Sequence, residues 1–477
     1  MTRGIHWFRN DLRIDDNKAL KCLLDKVDEW LPVFVLDPRL EHVLERPRYK
    51  FLASCLEFLQ ISLESHGVPF LIRHGLPEEV LPRLVHETHS SFVSFNEDIT
   101  PFAIGRDNEV RLLVEKSGAR VLSCVDHVIF SADDIRTQSG GAYQKYSPYR
   151  KRWLERWKQF PQKPCTLNNL SRPISGFAME NQSFPEAVTK LPHNSKYFLG
   201  GTKNAKKRLN VFLERLVRNY QRDRDVPSID GTSRLSPYIR FGAISIRECF
   251  SKAEECILSE ELSQIGANKW IDELIWREFY SSIMESNPSV LDENFKKEYD
   301  AMTWNNSADE FQKWCSGTTG FPIVDAGIRQ LKSTGWMHNR VRMIVASFLT
   351  KDLLIHWKQG ERFFSEYLLD YDPSSNNGGW QWAASTGVDS QPYFRIFNPE
   401  LQSRKWDPQG IFIKRWIPEL RDVDDEAIHN PDRFSSSTNY PRQMICHDER
   451  RKLALQRFSY VRGRKNKVGN HRQRQND

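Results

Sequence analysis

The chain has 477 residues, of which 39% are hydrophobic and 12% aromatic, enough for two domains with real cores. Its formal net charge of +7 is mild and does not by itself demand a nucleic-acid partner. No apolar run nears the roughly 20 residues of a bilayer span. The opening "MTRGIHWFRNDLR" carries charges where a signal peptide needs an apolar core, and eight cysteines without a C-x-x-C pair argue against zinc and disulfide frameworks. The expectation is a chain with no metal and no membrane segment, in a reducing compartment.

In the first 130 residues, short apolar runs alternate with amphipathic segments. "IHWF", "LPVFVL", "VPFLI", "SFVSF" and "RVLSCV" read as buried strands, and "RPRYKFLASCLEFLQISLESHG" and "GRDNEVRLLVEKSG" as helices. Such alternation predicts an open, doubly wound α/β domain with parallel strands over 1–130. "WFRNDLR" follows the first strand, so a G-x-G-x-x-G fingerprint is absent. Residues 131–202 hold Pro161, Pro164, Pro173, Pro185 and Pro192 and read as a surface connector with one helix around "SPYRKRWLERWKQF". Segments such as "KKRLNVFLERLVRNYQRD" and "HNRVRMIVASFLTKDLLIHWKQ" predict a larger, all-helical domain over 203–460. Residues 461–477 form a basic polar tail, either solvated or a phosphate-contacting or nuclear-targeting arm.

Chemistry concentrates in the helical half. In "DGTSRLSPYIRFG", Ser236 before Pro237 suits a helix N-cap, and the same hydroxyl-rich turn with Arg234 suits a phosphate. In "WIDELIWREFY", Glu273, Trp276, Arg277 and Tyr280 share one helix face, while Leu274, Ile275 and Phe279 supply burial elsewhere; a salt-bridged amphipathic helix accounts for the same pattern. In "STGWMHNRVRM", Asn339 and Met343 are i and i+4 beside Arg340, but helix capping and core filling are the commoner reasons for such residues; His338 reads as structural. Asp370 and Asp372 in "LLDYDPSSNNGGW" raise a paired-carboxylate idea, but turn chemistry is the commoner cause. In "NNGGWQWAAST", a helix turns Trp380 and Trp382 about 200° apart, which assigns them separate jobs.

Taken in order, "WFRNDLRIDDN", "DGTSRLSPYIRFG", "WIDELIWREFY", "GFPIVDAGIRQL", "TGWMHNRVRM" and "NNGGWQWAASTGVDSQPYFRIFNP" resemble the photolyase/cryptochrome family over nearly the whole chain. Within it the chain looks most like class I cyclobutane pyrimidine dimer (CPD) photolyases. The resemblance implies an α/β antenna domain, a connector and a helical domain holding a U-shaped FAD. It implies that Tyr220, Thr232, Ser233, Arg234, Leu235 and Ser236 hold the FAD phosphates and ribose and that Trp270 lines the cofactor. Asp370, Tyr371 and Asp372 would contact the flavin, with Arg342 as the partner of Asp370, and Asn376 would face the flavin N5. Glu273, Trp276, Asn339, Met343 and Trp382 would line the lesion pocket, with Tyr280 also on the DNA side. Arg224, Arg277, Arg340, Arg395 and Gln402 would meet the DNA backbone. Trp380, Trp357 and Trp304 would form an electron-transfer chain.

Four positions separate subfamilies. Asn339 and Met343 stand where six-four photolyases carry histidines, Trp382 where DASH cryptochromes carry Tyr, and Asn376 where plant cryptochromes carry Asp and animal ones Cys. The implied activity is light-driven repair of UV-damaged DNA by reduced FAD, in a monomer that is cytoplasmic in a bacterium or nuclear in a eukaryote. Phe102 and Ala103 replace the Asn-Glu pair of folate-binding relatives. That disfavours methenyltetrahydrofolate as antenna and leaves a deazaflavin, a second flavin or none. A sensory cryptochrome is the alternative; a general flavoprotein oxidoreductase lacks a nicotinamide fingerprint.

Overall fold

The computed structural model describes residues 1–43, 46–177, 197–259, 261–434 and 438–473. All five expected runs become strands: β1 (Arg3–Phe8), β2 (Glu29–Leu36), β3 (Leu71–His74), β4 (Phe92–Asn96) and β5 (Arg120–Cys124). They form one parallel sheet in the order β3-β2-β1-β4-β5. β3 starts after the first part of "VPFLI", because Pro69 has no N–H to donate to a ladder; Val68 and Phe70 are buried nonetheless.

Helices α1 (Lys18–Leu24), α2 (Pro47–Glu64), α3 (Pro77–Thr88) and α4 (Pro101–Lys116) connect the strands. Alternation along the strands sorts the two faces. Ile5, Trp7, Val33, Val93 and Phe95 pack with Leu81 and Leu84 of α3 and Val110 and Val114 of α4. His6, Ser94 and Asn96 point the other way and meet the start of α1, where Asn17 caps the helix by accepting from Leu20 N and also accepts from the Asn96 amide. Each buried Leu, Val or Phe in such a core is worth about 1.5–3 kcal/mol.

Beyond the sheet come α5 (Tyr146–Gln159), α6 (Thr202–Val211), α7 (Ile246–Ser259) and α8 (Gln264–Ser286). α5 is more than surface dressing. Tyr146, Tyr149, Trp153 and Trp157 recur on one side of it and are buried, and Trp153 Nε1 donates to the buried Glu278 of α8. Residues 178–196 of the expected connector, with Pro185 and Pro192, lie outside the described residues. Among the described residues no strand follows β5, as expected of a helical second half. There, α9 (Asn339–Ser347), α10 (Trp357–Tyr367) and α11 (Pro373–Ala384) carry candidate site residues, and α12 (His447–Gln473) is the last helix. The basic tail is not irregular from residue 461: the last helix runs on to Gln473, in keeping with the good helix propensity of its Lys, Arg and Gln residues. Residues 474–477 lie outside the described residues. No described helix is long and apolar enough to cross a membrane.

The chain forms two compact units whose bounds differ from those of the four sequence segments. The first comprises Met1–Gln221, Thr232–Pro288 and Leu369–Asp372; the second comprises Arg222–Gly231, Ser289–Leu368 and Pro373–Asp477. In the first unit, a buried charge cluster joins the sheet to α7. Asp126 accepts from Arg13 Nη2 at 2.5 Å and from Arg247 Nη2 at 2.6 Å, and Arg247 Nε reaches Asp16 at 3.0 Å. Asp16 also accepts from Ser245 Oγ and from Cys165 N. The two guanidinium groups hold the Asp126 carboxyl far below its ordinary value, against the cost of burial. Removing one partner strands a buried charge. Arg247→Met is therefore expected to destabilise the protein by about 3–5 kcal/mol, read as an earlier unfolding midpoint in urea. A midpoint within error of the wild type would show the cluster to be energetically idle.

Candidate active site

In the first unit, Thr232 to Ser236 form a turn fixed from below by Arg208, whose Nε donates to Ser233 O (2.8 Å) and whose Nη2 donates to Thr232 O (2.5 Å). Arg234 takes a left-handed φ of 50°, which costs energy for a residue with a Cβ and marks a turn held in place by its surroundings. The helix that follows spans Ser236–Arg240 with Leu235 at the N-cap. The expected Ser236 cap is thus displaced by one residue. Ser236 opens the helix with its side chain exposed, because the strained turn brings the chain into helical geometry early. Tyr220 and Trp270, both buried, meet through Phe212, with ring centroids 5.4 Å and 4.9 Å from it. Gly266 makes this possible: a Cβ there would lie 1.7 Å from Val217 O. Asp370 is buried, and Tyr371 and Asp372 are half-buried. Tyr371 O accepts from Arg240 Nε (2.6 Å), and its ring lies under the Arg48 guanidinium.

The mixed face expected on "WIDELIWREFY" is present on α8. Glu273, Trp276, Arg277 and Tyr280 are half-buried, while Leu274, Ile275 and Phe279 are buried. Trp276 lies flat on Tyr146, with centroids 3.7 Å apart and planes within 8°. The Tyr146 hydroxyl donates to Asp272 O (2.7 Å), and Arg150 Nε pairs with the Asp272 carboxylate (2.5 Å). The Trp276 indole is thereby clamped from one side. Glu273 sits 3.6 Å from Lys269 Nζ. Arg277 turns inward and donates to His127 O (2.5 Å), so its guanidinium is engaged within the fold.

In the second unit, Asn339 opens α9 with its side chain exposed, and its Nδ2 approaches Met343 Sδ at 3.9 Å. His338, the N-cap, accepts from Arg340 N, the structural role expected of it. Arg340 pairs with Asp225 (2.8 Å) and lies 4.5 Å over the Trp406 ring; Gln402 accepts from Trp406 Nε1. Both groups are committed internally, whereas Arg395 is exposed. Arg224 is half-buried, and Arg342 Nε donates to Met337 O.

"NNGGWQW" is helical, within α11, as expected. Trp380 is buried and Trp382 half-buried. Trp380 packs edge-on against Phe364 of α10 (4.9 Å). Gly360 opens the slot for it, since a Cβ there would lie 2.1 Å from the indole. Asn376 is buried, and its Nδ2 donates to Glu361 O (3.1 Å), which leaves Oδ1 as the amide's acceptor. Trp357 is buried, with Nε1 donating to Asn294 Oδ1 (2.8 Å), and Trp304 is half-buried.

Within the first unit, the hydroxyls and the guanidinium of the 232–236 turn are the kinds of group that suit a phosphate. They are set in a chain whose open α/β sheet is followed by a mostly helical half. Residues 4–167 match the family described as DNA photolyase, and residues 270–460 match the FAD binding domain of DNA photolyase. The chain is 37% identical over 470 residues to a deoxyribodipyrimidine photo-lyase of Alkalihalophilus pseudofirmus, covering 95% of this chain and 97% of that protein. Among solved structures, it superposes on a bacterial class III photolyase from Agrobacterium tumefaciens with a TM-score of 0.90 at 32% identity, covering 97% of this chain and 98% of the other. An archaeal photolyase from Sulfolobus tokodaii with two FAD molecules gives 0.82 at 33% identity, covering 96% and 100%. The chain belongs to the DNA photolyase family.

Sequence reasoning missed Tyr146, Arg208 and Glu361. The aromatic spacing of 146, 149, 153 and 157 was a visible signal for Tyr146; the other two act through backbone carbonyls or neighbours and leave no motif. Glu361, beside Asn376 and accepting from Asn377 Nδ2 (3.0 Å), is pushed up to about 7 by burial, partly offset by that hydrogen bond. Its ordinary value is 4.5, so the native state keeps a proton that the unfolded chain gives up. The resulting stabilisation is complete below about 4.5 and lost as pH rises through about 7. Glu361→Gln is therefore expected to be more stable than the wild type above about pH 8, by about 1–3 kcal/mol, with the gap closing near pH 5. Melting curves across pH test this; a constant gap would refute the assignment.

Proposed function

We propose that this chain is a deoxyribodipyrimidine photolyase that splits cyclobutane pyrimidine dimers in UV-damaged DNA, driven by light. The reading is carried by the half-buried face of α8, where Trp276 is clamped flat with Glu273 and Tyr280 beside it, in a chain related to photolyases over nearly its whole length. Fully reduced FAD, when bound and excited, supplies the electron that opens the cyclobutane ring and takes it back. The chain's residues prepare that event. The 232–236 turn holds phosphate and ribose, with Tyr220 and Trp270 beneath. Asp370, Tyr371, Asp372 and Arg342 orient the polar edge of the flavin, and Asn376 offers Oδ1 as an acceptor toward N5. An amide does so without adding a negative charge.

Trp276 and Trp382 replace the stacking that a dimer loses when it leaves the duplex. Glu273 and Asn339 hydrogen-bond its edges, and Met343 fills beside them. Backbone contacts position the DNA without reading its sequence. Of the candidates for that role, the exposed Arg395 carries the most, since Arg277, Arg340 and Gln402 have internal partners. For a planar second chromophore, our candidate is the β1/β4 switch point of the sheet, where such folds take ligands. There the Arg9 and Arg106 guanidinium groups lie over Trp7, whose buried Nε1 has no hydrogen-bond partner among the described residues.

The decisive experiment mixes the chemically reduced protein with UV-irradiated oligothymidylate under blue light and in the dark. Recovery of thymine absorbance is expected in light only. Trp276→Ala is expected to weaken binding of the damaged strand by about tenfold, the loss of one stacking contact worth 1–3 kcal/mol. No light-driven recovery, with equal affinity for damaged and intact DNA, would overturn the reading in favour of a sensory cryptochrome.

A further inference from the structure

His356 stands between two of the tryptophans expected to carry electrons. Its ring centroid lies 5.1 Å from Trp304 at 62° and 5.4 Å from Trp357 at 33°. The half-buried imidazole is also the N-cap of α10, with Nδ1 accepting from Lys358 N at 3.1 Å. A ring nitrogen that accepts a hydrogen bond carries no proton, so the single ring proton belongs on Nε2. Three further features oppose a second proton: the positive end of the α10 dipole, burial, and Lys358; Asp300 alone pulls the other way. From α12, Arg457 donates to Thr303 O and Asn305 Oδ1 on either side of Trp304, adding another positive charge nearby. Burial and Lys358 accordingly hold His356 below its ordinary 6.5.

We propose that His356 is a positioning residue of the tryptophan chain: an uncharged imidazole wedge that fixes Trp304 against Trp357 and, through its cap hydrogen bond, keeps positive charge out of the gap. The inference rests on the reading of Trp380, Trp357 and Trp304 as that chain. One electron passes from Trp357 to the oxidised Trp380 indole, and one from Trp304 to the oxidised Trp357; an external thiol then re-reduces Trp304, and the flavin is the net acceptor. Each oxidised indole is a cation before its proton leaves. An imidazolium touching both rings repels that charge and also breaks the cap, because Nδ1 can then no longer accept.

The test uses the full-length, FAD-loaded protein in its oxidised state, with thiol present. The tryptophan-radical yield after a flash is expected to fall several-fold in the wild type as pH drops from about 7.5 to well below the ordinary imidazole value of about 6.5. His356→Phe keeps a ring between the indoles and removes the titration, so near-wild-type yield and a flat profile are expected. His356→Asn keeps a cap acceptor but no ring, so a lower yield that is also flat is expected. In the dark, nitrogen NMR of the His356 ring, assigned by its loss in His356→Asn, is expected to show an unprotonated Nδ1 at neutral pH.

Trp304→Phe separates the two levels of the argument. Undiminished photoreduction in that variant would overturn the chain reading and this proposal with it. Loss in Trp304→Phe, combined with the same pH profile in the wild type and His356→Phe, would overturn the proposal alone. So would a protonated Nδ1 at neutral pH.

Discussion

The Asp126 carboxylate, shared between Arg13 and Arg247, is the constraint on which the first unit depends. Its groups come from the end of the first strand's loop, the end of the last strand and the start of α7, and all of them are buried. In a medium of low dielectric, such charges are tolerable only together, so the sheet and the helical segment beyond the connector cannot fold around separate cores. α8 follows directly from α7, and it carries Trp270, Glu273 and Trp276. The geometry of the Glu273–Trp276 helix face is thus anchored by a buried ion cluster.

Aromatic residues of one kind are put to different uses by their neighbours. Trp276 is pressed flat by Tyr146 and left half-exposed. Trp380 sits in a slot that only a glycine at 360 leaves open, sealed by Phe364. Trp357 is buried and tied through its N–H to Asn294, and Trp304, nearer the surface, meets it across an imidazole. In the proposed function, a stacking wall needs an open face and an electron relay needs fixed, dry contacts. Burial and contact geometry separate these tryptophans where side-chain type does not.

Much of the architecture was legible because it follows from period and local chemistry. Apolar runs of strand length separated by helical stretches marked the parallel sheet, with only β3 misplaced by its proline. The face of Glu273, Trp276, Arg277 and Tyr280 and the helical setting of Trp380 and Trp382 follow from 3.6-residue periodicity alone. Less legible were groups whose role depends on a distant partner. Arg277 and Arg340, which the family resemblance puts at the DNA backbone, have internal partners that no motif announces: one donates to His127 O and the other pairs with Asp225. Ser236 looked like a cap until the strained turn held by Arg208 moved the helix start.

By itself, then, the sequence determined the class of each element, the helix faces and, through ordered motifs, the family, since these depend on neighbours a few residues away. Only the tertiary structure decided which guanidinium groups remain exposed, that the helix of Tyr146 is core and clamps Trp276, that Gly360 makes room for Trp380, and that His356 lies between two indoles. Those outcomes depend on contacts across tens to hundreds of residues, where burial and desolvation select the partner and no local spacing records the choice.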